Sequence, residues 1–328
     1  MGYEEALTAS EEELKGVFEE AWRISRTNLG FYITFYAPDV IDYRTKYFSS
    51  GQQGRFPGIS VTGGICALGC DHCRGWILNY MTPAKTPEAL REKLVKLKEG
   101  GGLGFLLSGG SLSNGSVPLD KYLGVARWGR EELGLRYVVH SGIIDDVTAE
   151  ALARSGVDAV LMDVVGDEET LREICHLNRG VEDIRRALAL LRRRGVKTVP
   201  HVLVGLHHGE IRGELEALKI IAENEPAAVV VIALMPLPGT PMEGISPPKP
   251  MDVARIVLAA RLLMPHKPIL LGCARPRGRH KVETDKLAID AGVQGIAYPS
   301  DEGVDHAAER GLKPTFQNLC CALIASPE

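Results

Sequence analysis

The sequence has no apolar run long enough to cross a membrane, and neither sign of charge dominates it. Its 38 Lys and Arg residues nearly balance 42 Asp and Glu residues, and no long basic run occurs. We therefore expect neither nucleic acid nor a membrane surface as a partner, and a small molecule is the better expectation. The chain starts with an acidic, helical pattern where a secretory signal would be basic and then apolar, which predicts a cytoplasmic protein.

Cysteine is sparse, and the seven cysteines are odd in number. In a chain of this size without a secretory pattern, cysteines indicate metal ligation or catalysis before disulfides. Cys66, Cys70 and Cys73 form a C-x3-C-x2-C array, and no fourth cysteine follows nearby. The remaining cysteines are Cys175, Cys273, Cys320 and Cys321.

Apolar runs alternate with amphipathic helical patterns along most of the chain, which is typical of parallel βα units. The apolar runs are nearly continuous, as strands covered on both faces must be. There are eight of them, at residues 58–64, 102–110, 136–142, 158–166, 196–206, 227–236, 267–276 and 293–300. Helical patterns between them include residues 86–100, 181–195 and 213–225. This count favours an α/β fold built as a full or partial TIM-type (β/α) barrel.

We expect the barrel to occupy residues 55–305, between an N-terminal helical extension (1–54) and a C-terminal tail (306–328). The extension has a helical pattern over residues 3–28 and then an irregular segment. In such barrels the reacting groups gather at the C-terminal ends of the strands. The residues that follow the apolar runs are therefore the candidates for a site.

The three clustered cysteines follow the first predicted strand. A structural zinc site takes four nitrogen or sulfur ligands in a closed tetrahedron, usually from two separated pairs. Here His72 stands between the last two cysteines, where space is short, and there is no second C-x2-C pair. A [4Fe-4S] cluster normally takes four thiolates, so three in one loop leave one iron open. The array therefore favours a cluster with an open coordination position.

The array, with the aromatic His72 just before its third cysteine, resembles the signature of the radical S-adenosylmethionine (SAM) enzymes. The order of βα units over roughly residues 56–300 is similar to theirs. The resemblance implies that Cys66, Cys70 and Cys73 hold a [4Fe-4S] cluster whose open iron is chelated by SAM. It also implies reductive cleavage of SAM to methionine and a 5′-deoxyadenosyl radical, which takes a hydrogen atom from the substrate. The electron would come from a donor such as ferredoxin or flavodoxin.

The same resemblance assigns SAM contacts to several strand ends. The family usually has a Gly-Gly-Glu-like turn for the methionine amino group, and here Ser108, Gly109, Gly110 and Ser111 stand there without the acidic residue. The two glycines allow close approach of a ligand to the backbone. Asp163 ends the fourth predicted strand, where the family often places a ribose contact. A helix cap or a turn is the alternative role for Asp163.

Two further SAM contacts follow from the resemblance. Arg185, with Arg186 beside it, lies at a position similar to an arginine that binds the SAM carboxylate in biotin-synthase-like members. A guanidinium fork suits a carboxylate, although an arginine-rich helix also fits a solvated face. The fifth predicted strand resembles the family's segment that packs against adenine, with Val204, Gly205 and Leu206 as the expected contacts.

Other polar residues are candidates only because they lie at predicted strand ends. They are His140, Ser141, His201, Cys273, Arg275 and Arg277. His201 fits either the barrel interior or a satisfied core position. The two arginines after the seventh predicted strand suggest an acidic substrate or cofactor group near the barrel mouth, because a buried cation needs an anionic partner.

The terminal pair, Cys320 and Cys321, has two interpretations. Single free cysteines usually act as small buried hydrophobes. Biotin synthase and lipoyl synthase, however, carry a second cluster that is the sulfur source. Resemblance to them implies an auxiliary iron–sulfur cluster that uses some of Cys273, Cys320 and Cys321.

The stretches GISVTGGICALGCDHCRGWILNYM and GCARPRG, with the terminal Cys-Cys, resemble one subunit of the divided, archaeal-type lipoyl synthase. That resemblance implies a sulfurtransferase acting on an octanoylated carrier protein together with a second radical SAM subunit. One alternative is a radical SAM methylase, mutase or lyase of cofactor biosynthesis, since the same strand-end residues would serve it. A non-enzymatic iron–sulfur electron carrier is the other alternative. No side chain is assigned a catalytic role.

Overall fold

The computed structural model describes residues 2–38, 43–48 and 55–326 of the chain. Strands and helices alternate through these residues, as the apolar pattern predicts. The strands are β1 (Tyr32–Tyr36), β2 (Gly58–Ser60), β3 (Thr82–Pro83), β4 (Gly104–Ser108), β5 (Arg136–His140), β6 (Ala159–Leu161), β7 (His201–Val204), β8 (Val229–Ala233), β9 (Ile269–Leu271), β10 (Gly295–Ala297) and β11 (Lys313–Gln317).

Most of the helices follow a strand and return the chain to the start of the next strand. The α-helices are α1 (Glu5–Thr8), α2 (Glu11–Leu29), α3 (Pro87–Glu99), α4 (Asp120–Leu133), α5 (Asp146–Ser155), α6 (Glu168–Glu173), α7 (Val181–Arg193), α8 (Glu214–Glu223), α9 (Pro250–Leu263), α10 (Arg279–Asp290) and α11 (Asp301–Glu309). Short 3-10 helices cover Trp76–Tyr80 and Cys321–Ala325. In the described part of the chain, no helix is both long and apolar enough to span a membrane.

The strands pair in parallel in two runs, β3-β2-β4-β5-β6 and β7-β8-β9-β10-β1-β11. Parallel bridges between Val160 and Thr198 and between Asp163 and His201 join β6 to β7. The two runs therefore form one curved wall around a barrel lumen. Within the described ranges, no ladder closes the wall between β3 and β11. The predicted α/β barrel-type fold is confirmed.

Polar residues in the loops begin the helices that cover the wall. Ser10 accepts a hydrogen bond from the Glu13 backbone, and the Glu13 side chain accepts one from Ser10 N at 2.7 Å. Thr86, Asp145 and Asp167 cap α3, α5 and α6 through bonds of 3.1, 2.9 and 2.8 Å. Each cap satisfies an otherwise unpaired backbone N–H and contributes about 1 kcal/mol.

The eight predicted strands correspond to β2 and to β4 through β10, and the structure adds β1, β3 and β11. The sequence predicts an irregular segment from the end of the first helix to about residue 54, and this prediction is wrong for β1. In β1, Thr34 lies opposite Gly295 of β10 and Thr315 of β11. The N-terminal extension and the C-terminal tail thus each supply a strand to the barrel wall.

The last described part of the C-terminal tail, residues 318–326, runs through the barrel lumen. Leu319 and Leu323 are buried in a core cluster with the inward-facing apolar side chains of the strands. The hydroxyl of Ser326 donates to the carbonyl of Asp158 at 3.0 Å, just before β6 begins. The tail therefore enters at the C-terminal strand ends, after β11, and reaches the N-terminal strand ends.

Candidate functional site

The three clustered cysteines lie in the loop after β2, residues 61–75, which we call the cysteine loop. Ala67 N donates to the carbonyl of Ser111 at 2.8 Å, which ties the loop to the segment after β4. Gly69 and Gly75 have φ angles of 59° and 74°, in the left-handed region that glycine adopts without steric cost. The loop can thus curl back over the C-terminal end of the barrel.

The thiols of Cys66, Cys70 and Cys73 lie near one another within this loop. Hydrogen bonding to Cys175 and burial raise the pKa of Cys70 to about 12. A hydrogen bond to Cys70, together with burial, raises the pKa of Cys73 to about 12. In the described part of the chain, the three sulfurs do not all lie within 4.8 Å of one another, so they do not form a ready site for a single ion. Because a cluster binds thiolates, its assembly must displace protons from these thiols.

A segment after α6 supports the cysteine loop from the side. Cys70 Sγ donates to the carbonyl of Cys175 at 3.3 Å, and Asp71 N donates to the carbonyl of Ile174 at 2.9 Å. His176 Nε2 lies 2.8 Å from Asp71 Oδ1. Sequence reasoning left Cys175 without a role, because no local pattern reports a contact across 105 residues.

The predicted SAM turn, residues 108–111, lies beside the cysteine loop. The hydroxyl of Ser108 donates to the carbonyl of His140 at 2.9 Å, and Gly110 N donates to Thr62 Oγ1 at 2.7 Å. Ser108 is thus fixed by the neighbouring strand, while its oxygen keeps acceptor capacity. The contact between this turn and SAM stays a prediction.

Gly110 leaves no room for a side chain against the cysteine loop. A Cβ at this position would lie 2.0 Å from the carbonyl oxygen of Ile65 and 2.7 Å from the Cα of Cys66. We therefore expect Gly110→Ala to displace the loop and to reduce the iron bound after anaerobic reconstitution to a small fraction of the wild-type amount. Gly64→Ala is the matched control, because a Cβ there meets open space. Equal iron content in the two variants would show that this close approach does not position the cysteines.

A layer of polar side chains, His140, Asp163 and His201, lies in the barrel lumen, and we call it the lumen triad. His140 ends β5, Asp163 follows β6 and His201 begins β7. Each of them stands two residues after an inward-facing apolar residue, so strand alternation turns it to the same side. Those apolar residues are Val138, Leu161 and Val199. The structure thus selects the barrel interior for His201.

The lumen triad is electrostatically coupled. His140 Nε2 lies 3.4 Å from Asp163 Oδ1, and the rings of His140 and His201 meet edge-on with 5.6 Å between their centroids. Burial acts to raise the pKa of Asp163, but the two histidines hold it well below its usual value. Burial acts to lower the pKa of His140, and the carboxylate of Asp163 raises it on balance. Burial and the charge of His140 lower the pKa of His201 to about 4, so His201 is neutral at neutral pH.

The C-terminal tail brings two thiols to the lumen triad. Cys320 interacts electrostatically with His140 and with Cys273, which follows β9. Cys321 forms a hydrogen bond with Cys320 and also interacts with Cys273. That hydrogen bond lowers the pKa of Cys320 and raises the pKa of Cys321. The structure thus brings together the three cysteines predicted to hold an auxiliary cluster, and their role as ligands stays a prediction.

Arg185 lies on the outer helical layer. It pairs with Glu182 on its own helix α7 and with Glu216 and Glu223 of α8. These three carboxylates account for the charge of the guanidinium. They disfavour the predicted contact between Arg185 and the SAM carboxylate, and they support the alternative of a solvated face.

Arg275 is buried, and its acidic partner belongs to the chain itself. Its guanidinium lies 2.8 Å from Asp285 and donates to the carbonyls of Gly272 and Ala297 at 2.6 and 2.8 Å. The suggestion that this arginine calls for an acidic ligand is therefore wrong, because Asp285 already neutralises it. Arg277 is exposed.

The predicted adenine segment presents little side-chain surface to a ligand. Val204 and Leu206 are buried in the core between the strands and the helices. Gly205 between them has a φ of 75°, and its N–H donates to Glu214 Oε1 at 2.8 Å. A contact with adenine would therefore use backbone atoms, and it stays a prediction.

The cysteine loop fits an iron–sulfur cluster that carries an organic ligand. Its three thiols are the soft donors that iron–sulfur clusters use. His72, which forms a hydrogen bond with Cys73, has a buried Nδ1 with no partner in the described part of the chain. Buried polar atoms are nearly always paired, so this nitrogen indicates a partner other than the described residues.

Two family models match the chain. Residues 60–221 match the Radical SAM superfamily, and residues 231–317 match the Biotin and Thiamin Synthesis associated domain. The first match contains the cysteine loop and the lumen triad. The second contains Cys273 and ends before the terminal cysteines.

Curated relatives and solved structures are similar to the chain over most of its length. A biotin synthase of Prochlorococcus marinus is 28% identical over 249 residues, which cover 73% of this chain and 70% of the relative. A biotin synthase of Alkalilimnicola ehrlichii is 27% identical over 248 residues, 73% of each protein. Methylornithine synthase (PylB) aligns with a TM-score of 0.66 at 18% identity over 95% of this chain and 93% of that one. HydG, a maturase of the [FeFe]-hydrogenase, aligns with a TM-score of 0.64 at 16% identity over 96% and 72%. The two structures share the fold.

Proposed function

The chain belongs to the radical SAM superfamily, with a [4Fe-4S] cluster and SAM as cofactors, and from this premise we propose that it inserts sulfur at unactivated C–H positions. The proposed substrate is an octanoyl group on a carrier protein, and the chain is proposed to be one subunit of a two-subunit lipoyl synthase. When bound, the cofactors supply the 5′-deoxyadenosyl radical that removes a hydrogen atom from the substrate. A saturated carbon offers no handle to an acid or a base, so a radical is the suitable reagent.

The cysteine loop is the proposed cofactor site. Cys66, Cys70 and Cys73 would hold the cluster, and the backbone at Gly109 and Gly110 would pack against SAM. The buried Nδ1 of His72, which has no partner among the described residues, supports this assignment, because His72 forms a hydrogen bond with Cys73 and therefore lies beside the proposed cluster.

The main support for sulfur insertion is a second group of thiols, Cys273, Cys320 and Cys321, at the same barrel lumen. Cys320 lies near His140 of the lumen triad, and Asp163 of the triad interacts with His72 of the cysteine loop. A substrate carbon between the loop and the tail would face a radical source on one side and sulfur ligands on the other. An auxiliary cluster on Cys273 and the tail cysteines would be the sulfur source.

Apolar side chains in the lumen and at its rim are consistent with an octanoyl group carried on a protein. Leu106 and Leu203 pack against the lumen core and are only partly buried, so they offer apolar surface to an octanoyl chain. Ile65 in the cysteine loop and Leu112 after β4 are exposed, and a carrier protein would dock there.

Sulfur insertion into the sulfur-free precursor of biotin is the second candidate function. It is favoured by the biotin synthases that align over about three quarters of the chain. The chemistry at the C–H bond would be the same, and the substrate would be a free small molecule.

A product assay separates these functions. The anaerobically reconstituted protein is incubated with SAM, a reductant or reduced ferredoxin or flavodoxin, and either an octanoylated carrier peptide or the biotin precursor, with and without a candidate second subunit. We expect mass spectrometry to show sulfur added to the octanoyl group. Sulfur added only to the biotin precursor would establish the second candidate. Formation of 5′-deoxyadenosine without any sulfur product would reject sulfur insertion for both substrates.

The double variant Cys320→Ala/Cys321→Ala tests the sulfur source. We expect it to lose the iron in excess of one [4Fe-4S] cluster and to lose the sulfur product, while 5′-deoxyadenosine still forms. Cys175→Ala is the control, because it removes a thiol outside the lumen. Unchanged iron content in the double variant would show that the terminal cysteines are not ligands.

A further inference from the structure

The lumen triad has the composition of a metal site separate from the cysteine loop. His140 and His201 offer imidazole nitrogens, Asp163 offers carboxylate oxygens, and one ligand atom from each lies within 4.8 Å of the other two. In residues 2–38, 43–48 and 55–326 no other group of three such side chains meets this distance.

The distances suit two ligands on one ion better than a direct ion pair. A charge-assisted N–H···O bond is about 2.7–2.9 Å long, whereas His140 Nε2 and Asp163 Oδ1 are 3.4 Å apart. Bonds of about 2.0–2.2 Å around a four-coordinate ion separate neighbouring ligand atoms by roughly 3.4 Å. The pair is thus spaced for an ion between its members, and His201 has a ring nitrogen within 4.8 Å of both ligand atoms.

The orientation of His201 favours metal binding. Its Nδ1 lies 3.1 Å from the carbonyl of Val199. A carbonyl only accepts, so Nδ1 carries the proton and Nε2 keeps its lone pair for a metal. Histidine ligands are commonly held in this way by a backbone carbonyl.

The ligand atoms of the lumen triad indicate which class of metal ion would bind. Two imidazoles and one carboxylate suit Zn²⁺, Fe²⁺ and Co²⁺, whereas Mg²⁺ and Ca²⁺ prefer sites made only of oxygen. Cys320 interacts electrostatically with His140 but is not in the group of ligand atoms that lie within 4.8 Å of one another.

We propose that His140, Asp163 and His201 bind one divalent first-row transition-metal ion in the barrel lumen. The site goes beyond sulfur insertion and does not depend on it, because it rests on the geometry of the triad alone. Metal binding is compatible with the predicted contact between Asp163 and the ribose of SAM, because one carboxylate oxygen can bind the ion while the other accepts from the ribose. An ion there would stand between the cysteine loop and the tail cysteines and would offset the negative charge of a Cys320 thiolate.

Cobalt binding tests the site without any turnover. The full chain is reconstituted anaerobically with iron and sulfide, passed through a chelator-containing gel filtration column to remove single ions, and titrated with Co²⁺ while its d–d absorption is recorded. We expect one equivalent to bind, and we expect His140→Gln and His201→Gln each to weaken the affinity at least about tenfold. Asp163→Asn, which keeps the side-chain shape, should weaken it as well.

His306→Gln is the matched control, because His306 forms a similar pair with Asp290 at 2.9 Å on the outer helices. It should bind cobalt as the wild type does. Far-UV circular dichroism and the iron retained by the cysteine loop verify that each variant is folded. The proposal is overturned if the folded triad variants keep wild-type affinity, or if the bound cobalt is lost only on substitution of Cys273, Cys320 or Cys321. Neither result bears on the sulfur products, so the two proposals fail independently.

Discussion

Cys70→Ala is expected to leave the cysteine loop without a [4Fe-4S] cluster and to lower reductive cleavage of SAM at least about a hundredfold. Cys70 is the most buried of the three predicted ligands, and it interacts with both Cys66 and Cys73. A cluster held by only three thiolates has no spare protein ligand in its array, so the loss of one exposes a second iron. The assay compares iron and sulfide content, the cluster absorption and the yield of 5′-deoxyadenosine.

Cys175→Ala is the matched control for this experiment. Cys175 is as buried as Cys70, and its backbone carbonyl, which alanine keeps, accepts the hydrogen bond from Cys70 Sγ, but Cys175 lies outside the cysteine loop. We expect it to keep the cluster and most of the SAM cleavage. If Cys175→Ala loses the cluster as completely as Cys70→Ala does, then Cys175 is a ligand and the assignment of three cysteines is incomplete.

Asp285→Ala is expected to lower the free energy of unfolding by about 3–5 kcal/mol, because it leaves the charge of Arg275 buried without a partner. Both side chains of this pair are almost fully buried. Asp285 also accepts hydrogen bonds from the backbone N–H and the hydroxyl of Ser300, at 2.6 and 2.8 Å. Removal of the carboxylate therefore leaves several polar groups unsatisfied at once.

Urea unfolding followed by circular dichroism measures this effect. Glu283→Ala on the same helix α10 is the control, since Glu283 pairs with the exposed Arg279 at 2.7 Å and such pairs contribute little. A loss of stability no larger than in Glu283→Ala would mean that Arg275 does not depend on Asp285.

The eight strands that the sequence predicts are those with long apolar runs, because they are covered on both faces. β11 has the sequence KPTFQ and lies at the edge of its sheet with most of its residues exposed, so its pattern is weak. β1 has the sequence YITFY, whose β-branched and aromatic residues are typical of a strand. The place of β1 between β10 and β11 was beyond prediction, because that pairing joins the two ends of the chain.

The residues of the candidate site also differ in how far the sequence predicts them. Cys66, Cys70 and Cys73 are close in sequence, so their spacing alone indicates the cluster. His140 and His201 could be placed at strand ends, but their meeting with Asp163 depends on the stagger of three strands around the barrel. The outer position of Arg185 was equally open, since an amphipathic helix does not reveal which arginine meets a carboxylate of its neighbour.

By itself the sequence determined the βα order, the barrel-type fold and the three-cysteine array. The first two follow from the local pattern of apolar residues, and the array follows from the short spacing of its cysteines. Only the tertiary structure decided that the tail threads the lumen and carries Cys320 to His140, and that Asp285 neutralises Arg275. The physical reason is that these contacts join distant segments through burial. A residue's partner in the interior is set by the packing of the whole barrel and leaves no mark on the residues beside it in the chain.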